Sequence, residues 1–109
     1  MNDYIISMDK QILVESRRCV KNGDISGLKE IYSILPSYIP REYLFKHVFL
    51  CACTHSQKEI TQWLMNLYKE MDPVSKIGLK YVFTYAKYII KTQEFKSWYL
   101  SILSRNNNR

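Results

Sequence analysis

The chain has 109 residues, and its 16 lysine and arginine side chains exceed its 10 aspartate and glutamate side chains, which gives a net charge of +6 with histidine neutral. Hydrophobic residues make up 47% of the sequence, enough to build the core of one domain of ordinary size, so the composition excludes an intrinsically disordered chain. With three glycines and three prolines, the chain has too few turn residues for a β-sandwich or a small barrel, and we expect an all-α fold.

The sequence carries no sign of export or of membrane insertion. No apolar run approaches the roughly 18–20 residues of a membrane span, and the N-terminus lacks the basic and apolar segments of a secretory signal. Three cysteines cannot all pair within one chain, which favours reduced thiols. We therefore expect an intracellular protein, cytoplasmic or nuclear, with no membrane partner.

Turn and capping residues divide the chain into six predicted helices. Gly23 is suited to close the first helix in a left-handed conformation, and Asp24 to cap the second. Ser56 and Glu59 match a capping box, and Thr92 can cap the last helix. The predicted helices cover residues 8–21, 25–35, 40–54, 57–71, 73–91 and 93–104. We expect one domain over residues 1–104 and a disordered polar tail over residues 105–109.

The predicted helices form three pairs with very short connections, and short connections make neighbouring helices antiparallel. The second helices resemble one another, because the segments that begin at Gly27, Glu59 and Glu94 align at offsets of 32 and 35 residues. Trp63 and Trp98 occupy equivalent positions in this alignment, which favours a packing role for both. Repeated helix pairs at this spacing are typical of a solenoid. Residues 43–53 are apolar around nearly the whole helix, which places the third helix in the middle of the stack.

Two of the helix junctions carry a family resemblance. The segment CVKNGDI at residues 19–25 resembles the junction of an ankyrin repeat, and ACTHSQ at residues 52–57 repeats it 33 residues later, the period of that family. The resemblance is to divergent ankyrin-like proteins of the kind found in large DNA viruses. It implies a stack of helix pairs that binds another protein without catalysis, as a modulator of a host protein does. Another α-hairpin solenoid is the alternative.

The positive charge is confined to the C-terminal third. Residues 1–72 carry nine basic and nine acidic side chains and are neutral. Residues 73–109 carry seven basic side chains against Glu94 alone, so the whole excess lies there. An asymmetry of this kind is evidence about partners rather than about fold.

The fifth predicted helix carries a basic ridge. Four lysines fall within an arc of about 60° at 100° per residue, the tyrosines lie beside them, and apolar residues fill the other positions. We therefore expect a helix that is buried on most sides and exposes one ridge. The predicted contacts to an acidic partner or to phosphate are Lys76, Lys80, Lys87, Lys91, Lys96 and Arg105. The candidate interface aromatics are Tyr81, Tyr85, Tyr88, Trp98 and Tyr99. The alternative is an ordinary solvated face with tyrosines at the edge of the core.

Neither a metal site nor a catalytic site is expected. His47, Cys51 and His55 recur every four residues, but zinc takes four tetrahedral ligands that usually come from two segments. The sequence has no glycine-rich phosphate loop, no nucleophile-elbow motif and no zinc-protease motif. We therefore expect no cofactor and no enzymatic activity.

The sequence favours a binding module that engages another protein. One alternative is a nucleic-acid-binding protein that uses the basic helix over residues 73–91. The other is a structural subunit that self-associates, for example as a homodimer through the C-terminal helix. That helix carries Phe95, Trp98, Tyr99, Ile102 and Leu103, and no later helix follows to cover them.

Overall fold

The fold is all-α, and it contains the six predicted helices. The computed structural model describes the backbone of residues 2–107 and the side chains of residues 10–105. The helices are α1 (Asn2–Lys21), α2 (Ile25–Ser33), α3 (Arg41–Thr54), α4 (Lys58–Lys69), α5 (Pro73–Ile89) and α6 (Gln93–Asn107). Helix α1 begins earlier than predicted, and α6 continues through three residues of the predicted tail. Residues 108 and 109 of that tail lie outside the described residues.

Three helices begin at a side-chain cap. The predicted cap Thr92 is present at the start of α6, where its Oγ1 accepts a hydrogen bond of 3.3 Å from the Phe95 amide. Asp24 Oδ1 accepts a hydrogen bond of 2.9 Å from the Gly27 amide, which satisfies a free donor at the start of α2. Asp72 Oδ1 does the same for the Ser75 amide at 2.9 Å. Pro73 then occupies the first turn of α5, where its missing N–H removes no helical bond. These short polar signals explain why the starts of α2 and α5 can be located in the sequence.

The junctions after α1 and α3 share one backbone conformation, although their residues differ. Gly23 has φ +70° and Ser56, 33 residues later, has φ +55°. Each residue donates its amide hydrogen to a carbonyl three residues back, and the next amide reaches five residues back, so both helices end in a Schellman-type turn. The predicted capping box is therefore wrong: Ser56 closes α3, and Gln57 is the N-cap of α4, although its side chain accepts no hydrogen bond from the first turn of that helix.

This equivalence predicts opposite effects of substitutions at the two junctions. A left-handed conformation costs a non-glycine residue about 1–2 kcal/mol. We therefore expect Ser56→Gly to raise the free energy of unfolding by about 0.5–1 kcal/mol, even though it removes the contact between the Ser56 and Thr92 hydroxyls, because that contact is exposed and water replaces it. Gly23→Ala should lower it by about 1 kcal/mol, since the added Cβ meets no atom closer than 3.5 Å and the cost is conformational. Urea denaturation followed by circular dichroism measures both. A loss of stability in Ser56→Gly would contradict the shared conformation.

Helix α3 lies at the centre of the packing. It contacts α1 and α5 as well as its sequence neighbour α4, while α2 packs on α1. Six of its residues are buried, and only Arg41 and Tyr43 are exposed, so the prediction of a helix covered on most sides is confirmed. The Phe49 ring contacts Phe45 of its own helix at 5.5 Å and Phe83 of α5 at 5.0 Å between ring centroids. The molecule measures 45 × 31 × 23 Å.

The second helices contact one another through the two tryptophans. Trp63 of α4 lies edge-on to Tyr32 of α2 at 5.3 Å, with the Lys29 ammonium 5.8 Å from its ring centroid. Trp98 of α6 has the Lys58 ammonium of α4 6.0 Å from its ring. Each tryptophan therefore contacts the second helix of the preceding pair, which agrees with their predicted packing role.

The junctions also contact one another side by side. Gln57 Nε2 donates to the Lys21 carbonyl at 3.4 Å, which joins the end of α1 to the start of α4. The Ser56 and Thr92 hydroxyls lie 3.3 Å apart, which joins the end of α3 to the start of α6. The three junctions consequently lie along one edge of the molecule.

Candidate functional site

Helix α5 packs into the protein along one side only. Leu79, Val82 and Ala86 are buried, and they recur at three- and four-residue spacing as the core-facing side of an amphipathic helix does. The Tyr99 hydroxyl of α6 donates a 2.8 Å hydrogen bond to the Phe83 carbonyl, which fixes α6 against this helix. The remaining sides of α5 are therefore free to carry surface chemistry.

A row of exposed apolar side chains runs along α5 on another side, and we call it the α5 stripe. Its members are Val74, Ile77, Tyr81, Tyr85 and Tyr88. Each is between 53% and 80% exposed, and at 100° per residue they fall within an arc of about 80°. Among residues 10–105, whose side chains are described, ten large apolar side chains are exposed, and half of them belong to this one stripe.

The stripe corrects the prediction for this helix. The sequence predicted a helix buried on most sides with one exposed basic ridge, whereas α5 exposes an apolar row as well. Three predicted interface aromatics, Tyr81, Tyr85 and Tyr88, lie in the stripe. Val74 and Ile77 were missed, although the spacing of three or four residues that links all five members was present in the sequence.

The lysines of the predicted ridge lie beside the stripe, and two of them border a cleft between α4, α5 and α6. Lys80 and Lys91 are exposed, while Lys76 and Lys87 are half-buried. The cleft has a volume of about 310 Å³, and Lys69, Lys80 and Lys87 line it. Its apolar lining comes from Met65, Phe83 and Leu103. Lys69 belongs to the neutral part of the chain, so no sequence pattern groups it with the ridge.

None of the three cleft lysines forms an ion pair with a carboxylate whose side chain is described. No acidic residue among residues 10–105 lines the cleft, and α5 contains neither aspartate nor glutamate. The other predicted basic residues do not join this group. Lys76, Lys91, Lys96 and Arg105 are absent from the cleft lining, and an Arg105 guanidinium nitrogen lies 3.4 Å from Ser101 Oγ on its own helix. The structure thus concentrates unpaired positive charge at Lys69, Lys80 and Lys87.

Helix α6 turns its apolar residues into the chain's own core. Phe95, Tyr99 and Ile102 are buried, and Trp98 and Leu103 are half-buried against them. Tyr99 is therefore wrong as a candidate interface aromatic, because no part of it is accessible to a partner. These five residues do not form an open apolar face, so the reason for expecting a homodimer through this helix falls away.

The histidines and cysteines do not gather into a site. Among residues 10–105, no three histidine, cysteine, aspartate or glutamate side chains are grouped as metal ligands are. Burial raises the pKa of the Cys53 thiol to about 12, and burial also raises the pKa of Cys19 and Cys51. All three thiols are thus held in the neutral form, which is the less nucleophilic one.

His47 gives the fold a testable dependence on pH. Burial first, then the charges of Arg17 and Lys46, lower the pKa of this imidazole, and the Arg17 guanidinium lies 3.3 Å from its Nδ1. A lowered pKa in the folded state means that the unfolded chain binds the proton more readily. The contribution of His47 to the free energy of unfolding is fully present above about pH 6.5, the ordinary pKa of histidine. It declines as the pH falls through that value, because the unfolded chain then takes up the proton first.

The urea concentration at the unfolding midpoint of the native sequence should therefore be lower at pH 5.5 than at pH 7.5. His47→Gln should flatten that change, while His55→Gln at the exposed end of α3 serves as the matched control and should retain it. An identical pH dependence in both variants would contradict the role given to His47.

Comparison with known proteins gives no match to a protein family, to a characterised protein or to a solved structure. The resemblance to ankyrin repeats accordingly stays a prediction. In the part of the chain that the structure describes, no helix combines the length and the apolar character needed to cross a membrane.

Proposed function

We propose that this chain is a non-catalytic module that binds another protein through the α5 stripe. The observation that carries the proposal is the concentration of exposed apolar side chains on one helix. Contiguous apolar surface on a soluble domain is typical of an interaction site, since leaving it in water forgoes the free energy of burial. Tyrosine supplies three of the five members, and it is enriched at protein interfaces because its ring is large and its hydroxyl tolerates water.

The arrangement of the helices supports the proposal. We infer that α1 to α6 form three stacked antiparallel pairs, as in ankyrin repeats or another α-hairpin solenoid. The support comes from the shared turn at Gly23 and Ser56 and from the successive contacts of α1, α3 and α5. In such a stack the α5 stripe lies on a side of α5 that none of the described helices covers.

A quantitative affinity capture from cells tests the proposal. The native chain is compared with Ile77→Gln/Tyr81→Gln, which removes apolar area from the stripe while keeping good helix formers and the net charge. The matched control is Val14→Gln/Ile34→Gln, since both residues are exposed apolar side chains outside α5. We expect the stripe variant to lose its captured protein and the control to retain it. Equal capture by all three chains would overturn the proposal.

Nucleic-acid binding is the second candidate, and the grouping of Lys69, Lys80 and Lys87 without a carboxylate favours it. Binding of this kind depends on phosphate neutralisation, so its affinity falls linearly with the logarithm of the salt concentration and varies little with sequence. A salt titration with unrelated duplexes distinguishes the two candidates. A steep slope that Lys80→Gln reduces, with no effect of Ile77→Gln/Tyr81→Gln, would favour nucleic acid over protein.

A further inference from the structure

The geometry of the α5 stripe limits the shape of what can cover it. From Val74 to Tyr88 the stripe runs nearly parallel to the helix axis over about 21 Å, at 1.5 Å per residue. Its members are separated by three, four, four and three residues, which is the spacing at which two helices interlock side chains along a common seam. An extended strand presents alternate residues at a period of two and matches such a row poorly.

Gly78 opens the stripe to a close neighbour. It lies at the edge of the row, and a Cβ built on it meets no atom within 4 Å. A glycine in the middle of an exposed helix costs about 1 kcal/mol relative to alanine, and no contact inside this chain compensates for that cost. Without a side chain, the backbone at this position admits a knob from a helix packed alongside. The shape of the surface therefore favours a helical occupant.

The lysines beside the stripe indicate which charges the partner helix should carry. Lys80 borders the stripe on one side, and Lys69 of α4 joins it in the adjoining cleft. On the other side the helix turns toward its buried residues and carries no charge. A helix packed on the stripe places one of its flanks over these lysines, and acidic side chains on that flank would satisfy them.

Neither a symmetric pair of α5 helices nor head-to-tail stacking on α1 of a second copy meets the requirement. Pairing two α5 helices would bring in lysines and no carboxylate, because α5 has no acidic residue. The outer residues Lys10, Arg17 and Lys21 of α1 are also basic and exposed, so head-to-tail stacking would place like charges together. Like charges opposed across an interface disfavour association.

We propose that the occupant of the α5 stripe is an amphipathic helix of a partner protein, with apolar residues at three- and four-residue spacing and aspartate or glutamate along one flank. This inference rests on the proposed function and names the class of partner that would fulfil it. The apolar residues of the partner helix cover the stripe, and its acidic flank pairs with Lys69 and Lys80.

Two designed peptides test the inference. Each has 21 residues, with leucine at alternating three- and four-residue intervals and alanine and glutamine on the outer face. One peptide carries glutamate at one position beside the leucine row in every seven-residue repeat, and the other carries lysine at the same positions. Binding to the full chain is measured by fluorescence anisotropy at low peptide concentration, with a 20-base-pair DNA duplex as a third ligand.

We expect the glutamate peptide to bind at least about tenfold more tightly than the lysine peptide, because the flanking charges meet Lys69 and Lys80. Lys69→Glu/Lys80→Glu should reverse that preference, and circular dichroism checks that this variant is folded. Should charge reversal unfold it, Lys69→Gln/Lys80→Gln should make the two affinities equal. Ile77→Gln/Tyr81→Gln should abolish binding of both peptides.

Equal affinities for the two peptides, or binding that survives Ile77→Gln/Tyr81→Gln, would overturn the inference. Binding of the duplex but of neither peptide would overturn it in favour of nucleic acid. If neither peptide binds while cellular capture still depends on Ile77 and Tyr81, the acidic helix is wrong and the proposed function stands. If capture is also independent of these residues, both fail.

Discussion

Phe49→Ala is expected to lower the free energy of unfolding by about 3–5 kcal/mol, the usual cost of removing a buried phenylalanine ring. Phe49 is fully buried in α3, and its ring contacts Phe83 of α5 at 5.0 Å and Tyr99 of α6 at 6.1 Å. The substitution would leave a cavity where three helices meet. Because a domain of this size is usually stable by about 5–15 kcal/mol, the loss is a large share of the total.

Guanidinium denaturation followed by circular dichroism measures this loss. Tyr88→Ala is the matched control, since it removes an aromatic ring that is 80% exposed, and we expect it to change the stability by less than about 0.5 kcal/mol. A cost below about 1 kcal/mol for Phe49→Ala would show that the three helices do not share a packed core at this point.

Ile77→Gln/Tyr81→Gln is expected to weaken binding of the natural partner at least about 30-fold. The estimate supposes that the two residues together contribute about 2 kcal/mol, a modest value for apolar residues at the centre of an interface. Both side chains are more than half exposed in the free chain, so their replacement removes no core contact. The measurement is a titration of the purified partner by isothermal calorimetry.

The same variant should keep its thermal midpoint within about 2 °C, since exposed substitutions rarely change stability by more than about 0.5 kcal/mol. The pairing of lost affinity with retained stability separates a binding role from a structural one. A marked drop in the midpoint would mean that the α5 stripe packs within the chain. An unchanged affinity would place the interface elsewhere.

Much of the fold was predictable because its signals are local. Asp24 and the pair Asp72 and Pro73 act within one turn of the residues they cap, so the sequence alone indicates where α2 and α5 begin. The apolar circumference of α3 likewise predicts burial without knowledge of its neighbours. The sequence supported two roles for Ser56, because this residue matches a capping box and the 33-residue repeat also aligns it with Gly23. Serine serves as an N-cap and tolerates a left-handed turn, and here the end of α3 determined the outcome.

The candidate site was less predictable because exposure depends on which side of a helix has a neighbour. Tyr81 and Tyr99 have similar apolar neighbours in the sequence. Tyr81 is nevertheless exposed on α5, whereas Tyr99 of α6 is buried against α5. Val74 and Ile77 were missed for the same reason, since apolar residues in a helix are ordinarily assigned to the core. Lys69 joined the cleft only through the packing of α4 on the other helices.

Hydroxyl-radical labelling of tyrosines, in the free chain and in the complex with its partner, tests most directly whether the α5 stripe is the binding surface. Five tyrosines are large exposed side chains in the described part of the chain, namely Tyr38, Tyr43, Tyr81, Tyr85 and Tyr88. The account predicts that the three on α5 lose most of their labelling in the complex, while Tyr38 and Tyr43 label as in the free chain. Protection of Tyr38 and Tyr43 with unchanged labelling on α5 would contradict it.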